Sequence, residues 1–387
     1  MTKVLQRSGF PTSLSFPTVG LRHIVDCLDG QRIPVEAQYR LPGPIPYWGA
    51  GTIQDYVDKF IFNEPLILLG EDGAPFDDAT RNVAHYSEGE IWVNNHMHVL
   101  RPHEGVNARF LTYALNCVRY SEYLSGAIIP KLTQSQMMSI RVPFPGLEIQ
   151  DAIVTYLNNE TAKIDHLIAK QRELIELLHL RNEARWHAAF TGFTPVKTRP
   201  LKRLLVKLRR PVVEGSGVVT AFRDGEVTLR SNRREEGFTF SEAETGYQGV
   251  AVGDLVFHGL DGFAGAVGIS DSDGQSTPVY HVCRLRNNED NLRFIAYLLR
   301  YLGYSGFLST QAPSVRQRAV DFRNWQTFGQ IPLSLPGPEE QQRIVTELDK
   351  NAKEVLNTET TIERAIELLQ ERRSTLITAA VTGQIEV

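Results

Sequence analysis

The chain has 387 residues, 42% of them apolar and 22% charged, with a formal net charge of −4. These values fit a globular protein of two or three domains and exclude collagen-like and disordered classes. No apolar run approaches the roughly 18 residues of a membrane-spanning helix. The start, MTKVLQRSGFPTS, lacks the apolar segment of a secretory signal, so a cytoplasmic protein is expected. Cys27, Cys117 and Cys283 are scattered without a CxxC pair, which argues against a disulfide scaffold or a structural zinc site.

In chain order, strand-like runs rich in Val, Ile and aromatics fall at Pro65–Leu69 and Ile91–Val99, and a short helix is expected at Phe110–Cys117. A stretch without Pro or Gly follows from about Glu148 to Ala189 and predicts a long helix. The polar segment Thr194–Pro200 reads as a joint. Beyond it come strand-like runs at Gly217–Ala221, Asp254–His258 and Val279–Leu285, a short helix at Phe294–Leu302, and a second long helix from about Glu339 to Ala380. The average charge hides a pattern. Residues 195–336 carry 18 basic and 14 acidic side chains, whereas residues 1–144, 145–194 and 337–387 are each net acidic. Arg supplies 31 of the 41 basic residues, and its planar fork suits phosphate and guanine.

The order of elements repeats because the sequence repeats. PGLEIQDAIVTYL from Pro145 aligns with PGPEEQQRIVTEL from Pro336, and the offset of 191 holds to the helix ends. It pairs Gln150 with Gln341, Ile153-Val154-Thr155 with Ile344-Val345-Thr346, and Ile175–Leu178 with Ile366–Leu369. It closes on Ala188–Gly192 against Ala379–Gly383. Upstream the match is weaker: LILLGEDG (Leu66–Gly73) meets LVFHGLDG (Leu255–Gly262), RFLTY from Arg109 meets RFIAY from Arg293, and LRHIV from Leu21 meets LKRLL from Leu201. The chain is two tandem mixed α/β modules, each a globular part followed by a helical part.

In the second helix Leu348, Val355, Ile362, Leu369 and Leu376 recur every seventh residue; Leu157, Ile164, Gln171, Leu178 and Arg185 fill the matching slots of the first, with Thr161, Ile168 and Ile175 interleaved. Sustained heptads predict a coiled-coil seam between the two helices. At about 1.5 Å per residue, 40 residues make a rod of roughly 60 Å. The competing reading is two separate amphipathic helices, each packed on its own domain.

The chemistry of catalysis is sparse. The chain has no Walker A sequence, HExxH, GxGxxG or GxSxG, no amino-methyltransferase Pro-Pro-aromatic loop, and no nuclease Asp/Glu-x-Lys. His96 and His98 would share one face of a strand, but no third ligand is evident and no metal site is expected. Asp77-Asp78 and Asp271/Asp273 read as solvated turns.

The two helix-entry segments, the paired Ala-Ala-x-Thr-Gly ends and the alternation of variable with repeated parts resemble the specificity subunit of a type I restriction–modification enzyme. The family signature Pro-x-x-x-Glu-Gln-x-x-Ile stands at Pro336–Ile344, and the first copy departs from it with Ile149 in place of Glu. YWGAGTI (Tyr47–Ile53), EIWVNNHMHVL, FRDGEVTLRSNRR (Phe222–Arg234) and GDLVFHGLDGFAGAVGIS (Gly253–Ser270) resemble the family's target-recognition domains.

The resemblance implies an α/β tandem repeat: recognition domains at 1–144 and 195–335, helical spacers at 145–194 and 336–387, and two antiparallel coiled-coil helices about a pseudo-two-fold. It implies a non-catalytic reader of a bipartite DNA target in phage defence. Two methyltransferase subunits would dock on its helices, and two restriction subunits would complete the complex. S-adenosylmethionine, ATP and magnesium would belong to those partners, and none to this chain. Candidate DNA-contacting residues are Trp48, Arg81, Asn82, Lys131, Thr133 and Gln134 in the first domain. In the second they are Arg230, Asn232, Arg233, Arg234, Arg316, Gln317 and Arg318, because Arg, Asn and Gln can bond base edges in pairs. The alternatives are an adaptor binding protein or RNA through its repeated modules, and a divergent stand-alone nuclease or methyltransferase.

Overall fold

A computed structural model describes residues 6–7, 9–11, 14–126, 129–233, 246–311, 315–316 and 319–387. The chain divides into two compact units, residues 1–174 with 360–387, and residues 175–359. The division falls inside the long helices, which run Leu147–Thr191 and Pro338–Thr382. Each unit therefore contains the start of one long helix and the end of the other.

Both units share a chassis. In the first, a four-stranded antiparallel sheet is ordered Val25–Cys27, Met97–Pro102, Leu66–Gly70, Ala84–Ser87. In the second the order is Leu205–Lys207, Tyr280–Leu285, Leu255–His258, Val267–Ile269. The central strand Leu66–Gly70 is buried along its whole length, as its run of aliphatic residues requires. Helices Ala108–Cys117 and Leu292–Tyr304 follow the sheets and are capped by Asn107 and Asn291, whose side chains accept from the Phe110 and Phe294 amides. A two-stranded ribbon then closes each globular part just before its long helix: Thr18–Gly20 with Arg141–Pro143, and Lys197–Pro200 with Pro332–Leu335. The expected joint at Thr194–Pro200 is thus half strand, because Lys197–Pro200 finds backbone partners that only the fold brings near.

The units differ in what the chassis carries. The first adds a sheet ordered Thr52–Val57, Pro42–Gly49, Glu90–Val93, Phe62–Asn63. The second carries instead the ribbons Val219–Ala221 with Val227–Leu229, and Gln248–Val250 with Gly274–Ser276. The run Ile91–Val99 corrects the expectation of one strand. It forms two strands in different sheets, broken at Asn94, whose amide donates to the Trp48 carbonyl and whose Oδ1 accepts the His96 amide.

The expected seam is inward-facing throughout. Leu157, Ile164, Ile168, Leu348 and Ile362 are buried; Ile175, Leu178, Val355, Leu369 and Leu376 are half-buried. The helices run antiparallel within each unit. Arg373 pairs with Asp165 at 2.9 Å in the first, while in the second Asn351 bonds Asn182 at 2.6 Å and His179 meets Glu359 at 3.3 Å. The competing reading holds at the helix entries. Ile153, Val154 and Leu157 belong to the first unit's core, and Ile344, Val345 and Leu348 to the second's. The helix ends enter those cores too: Ile377, Ala380 and Val381 pack in the first, Phe190 in the second. Gly383 ends the second helix at φ +73°, where the Gln384 amide reaches back to the Ala379 carbonyl at 2.8 Å.

Candidate nucleic-acid interface

In the first unit the candidate residues gather at the end of the sheet where strand Leu66–Gly70 runs out. The loop after it, residues 71–82, is the hub. The Leu132 amide donates to the Glu71 carbonyl at 2.8 Å, and Asp72 pairs in a short bridge with Lys131. On the other flank a side chain at Gly51 would touch Pro75 and Ala74 at 3.7 and 3.8 Å, so the turn 49–51 packs directly on the loop. That turn needs left-handed backbone, with Ala50 at φ +47° and Gly51 at +82°.

Arg7 pins the hub. Its buried guanidinium donates to the carbonyls of Phe76, Asp78, Arg81 and Asn116. Arg81 and Asn82 are left exposed on a loop whose backbone is held from behind. Nothing in the sequence marks Arg7, because its partners are carbonyls some 70 to 110 residues away. The candidates do not all stand free. Lys131 is bound to Glu71 at 3.0 Å, which raises its pKa, and Thr133 is engaged in a capping box with Gln136, whereas Gln134 is exposed. Trp48 packs on His85 with ring centroids 5.1 Å apart, and its indole nitrogen is buried without a partner among the described residues.

The second unit builds the same end from other parts. The loop after strand Leu255–His258 contacts the pre-helix segment, with the Phe322 amide on the Gly259 carbonyl at 2.7 Å. It also meets the turn of the 219–229 ribbon, through Arg223 and Asp261 at 2.8 Å. Arg233 lies over the Phe222 ring at 4.4 Å and is paired with Asp224 at 2.6 Å and Glu226 at 3.1 Å. Arg230 bonds Thr220, and Asn232 bonds Thr228 at 2.8 Å. Arg316 lies in the strand pair Val315–Arg316 with Ala319–Val320. Arg234, Gln317 and Arg318 lie outside the described residues.

His96 and His98 do not share a face. His96 turns to Asp72 at 2.6 Å; His98 is buried, with Nδ1 on Asp29 at 2.6 Å and Nε2 on the Leu132 carbonyl at 2.8 Å. Asp29, Glu71 and His98 each place a ligand atom within 4.8 Å of the others. Both imidazole nitrogens are already bonded, however, and Arg32 holds Glu71 at 2.6 Å, so the cluster is an ion-paired network. Burial opposes the charge of Asp29, yet the His98 bond, the Val99 amide and nearby Arg32 keep its carboxyl below the usual range. Asp78 accepts the Thr80 amide at 2.9 Å and Asp273 the Val252 amide at 2.9 Å, the turn roles expected of them. Burial pushes the Cys27 and Cys117 thiols up to about 11, and that of Cys283 higher still, which disfavours the reactive thiolate at neutral pH. Among the described residues no helix is long and apolar enough to cross a membrane.

Comparison with known proteins agrees with this geometry. The family model of the type I restriction modification DNA specificity domain matches residues 17–177. A putative type I restriction enzyme specificity subunit of Haemophilus influenzae is 26% identical over 347 residues, covering 85% of this chain and 86% of that protein. Among solved structures, a chain from a study of complex assembly and conformational transition of the type I R-M system superposes with a TM-score of 0.67 at 16% identity, covering 97% of this chain and all of that one (100%). The HsdS subunit from Thermoanaerobacter tengcongensis gives a TM-score of 0.52 at 14% identity over 97% of this chain and 98% of that one. At those identities the structures show the fold; the chain carries over residues 17–177 a match to the type I restriction modification DNA specificity domain and is similar over most of its length to a putative specificity subunit of such an enzyme.

Proposed function

We propose that this chain is the non-catalytic DNA reader of a type I restriction–modification complex, each globular part recognising one half of a split duplex target. The observation that carries this is a common chassis fitted with different ribbons and loops at the same sheet end: one mode of docking, two different reading surfaces. Such a pair suits a bipartite site, where half-site spacing mirrors module spacing. The antiparallel helices act as the spacer and dock two methyltransferase subunits, with two restriction subunits in the full complex. S-adenosylmethionine, ATP and magnesium belong to those partners. Of the candidate readers, Arg81, Asn82, Gln134 and Asn232 are exposed polar side chains with no carboxylate partner among the described residues, and Arg230 lies with Asn232 beside the second ribbon. An acidic chain can serve because partner subunits share the phosphate contacts that dominate affinity.

The test is methylation with and without partners. The purified chain alone is expected to leave DNA unmodified and uncut, and to direct adenine methylation at a split motif when combined with its methyltransferase. Methylation by the isolated chain would overturn the reading.

A further inference from the structure

Each long helix starts at a buried glutamine that ties it to its globular part. Gln150 and Gln341 are both fully buried (0% exposed). The Gln150 Oε1 accepts the Asn107 amide at 2.9 Å, and its Nε2 donates to the Pro145 carbonyl at 2.8 Å. Gln341 repeats both bonds, with the Asn291 amide at 2.9 Å and the Pro336 carbonyl at 2.9 Å. The two asparagines are the N-caps of the short helices, and their Nδ2 groups return to the long helices, on Asp151 at 2.7 Å and Gln342 at 2.9 Å. In the second unit Nε2 also reaches Asp290 at 2.9 Å, which Lys197 neutralises at 2.9 Å. One amide therefore joins the end of the closing ribbon, the cap of the short helix and the first turn of the long helix, and does so twice with the same atoms.

Apolar packing around this junction is non-directional and would keep the parts together at a range of angles. Hydrogen bonds fix distance and angle together. The amide admits one orientation, since a flip would set donor against donor and acceptor against acceptor. We propose that Gln150 and Gln341 are positioning residues for target spacing: each sets the angle between its globular part and its long helix, and so the separation of the two half-sites that the complex accepts. This rests on the helices being the spacer.

The test uses the full chain with its methyltransferase partner. Gln150→Met and Gln341→Met keep the side-chain volume and remove the bonds. Each is expected to lower the preference for the parental spacing over sites one base pair longer or shorter by at least tenfold, with both half-sites still required. A merely structural role would lower activity on all sites together and leave that preference unchanged. In a Cys27→Ser background, spin labels at Lys353→Cys and Asn287→Cys in the second unit read the angle directly. Gln341→Met should broaden that distance distribution. An unchanged distribution, or a broadened one with parental spacing preference, overturns the proposal. The spacer reading fails separately, if lengthening the helices leaves the spacing unmoved.

Discussion

His98 and His281 occupy matching places in the two sheets and show how one position is solved twice. His98 has an acceptor on each ring nitrogen, whereas His281 has only the Phe322 carbonyl, at 2.6 Å, and its Nδ1 is buried without a partner among the described residues. Burial lowers the His281 pKa from 6.5 to about 4, with the Phe322 bond opposing it. The unfolded chain then binds this proton more readily than the folded one between those values. Stability is therefore full above about pH 6.5 and is lost as the pH falls toward 4, by on the order of 3 kcal/mol for this group. Thermal melts from pH 7 to 4 should show that loss, and His281→Phe should flatten it; a parallel slope in the variant would remove His281 as the cause. At this scale the sequence was least legible. Arg7 and the partners of His98 are tertiary coincidences, and the Arg233 cluster that looks free for DNA in one dimension is met by Asp224 and Glu226 once the ribbon turns back.

The helices were the most legible elements, because heptad spacing and the 191-residue offset are properties of the sequence itself. What spacing could not say is where a seam gives way to a domain core. Of the heptad slots, Leu348 belongs to the core and is 3% exposed while Val355 is half-buried in the seam; Leu356, outside the slots, is 64% exposed. Leu348→Ala is expected to cost ~2–5 kcal/mol and Leu356→Ala within about 0.5 kcal/mol, measured by denaturant unfolding; equal costs would contradict the assignment. The helices should also behave as a ruler. Four residues inserted at Glu176, with four more at Glu359 where His179 bonds the partner helix, add about 6 Å and keep the seam by a stutter. At roughly 3.4 Å per base pair the methylated motif should gain one or two unspecified bases. A stable variant that still methylates only the parental spacing would show that length is set elsewhere.

At the scale of the molecule, the tandem repeat, mixed α/β modules and long paired helices are readable from the sequence, while the content of each module is not. Strand Ile91–Val99 splits between two sheets and Lys197–Pro200 pairs with a segment some 130 residues away, because backbone partners decide strands and they lie outside any local window. That division has a functional counterpart. The repeated parts hold the frame, and in the proposed function the parts that differ between units are the reading surfaces. The most direct measurement is the methylome of cells that express the methyltransferase partner with this chain, or with a chimera in which residues 200–335 come from another specificity subunit. The account predicts that one half of the methylated motif changes, while the other half and the spacing stay as they were. A chimera that is folded and active but changes both halves together, or neither, would contradict it.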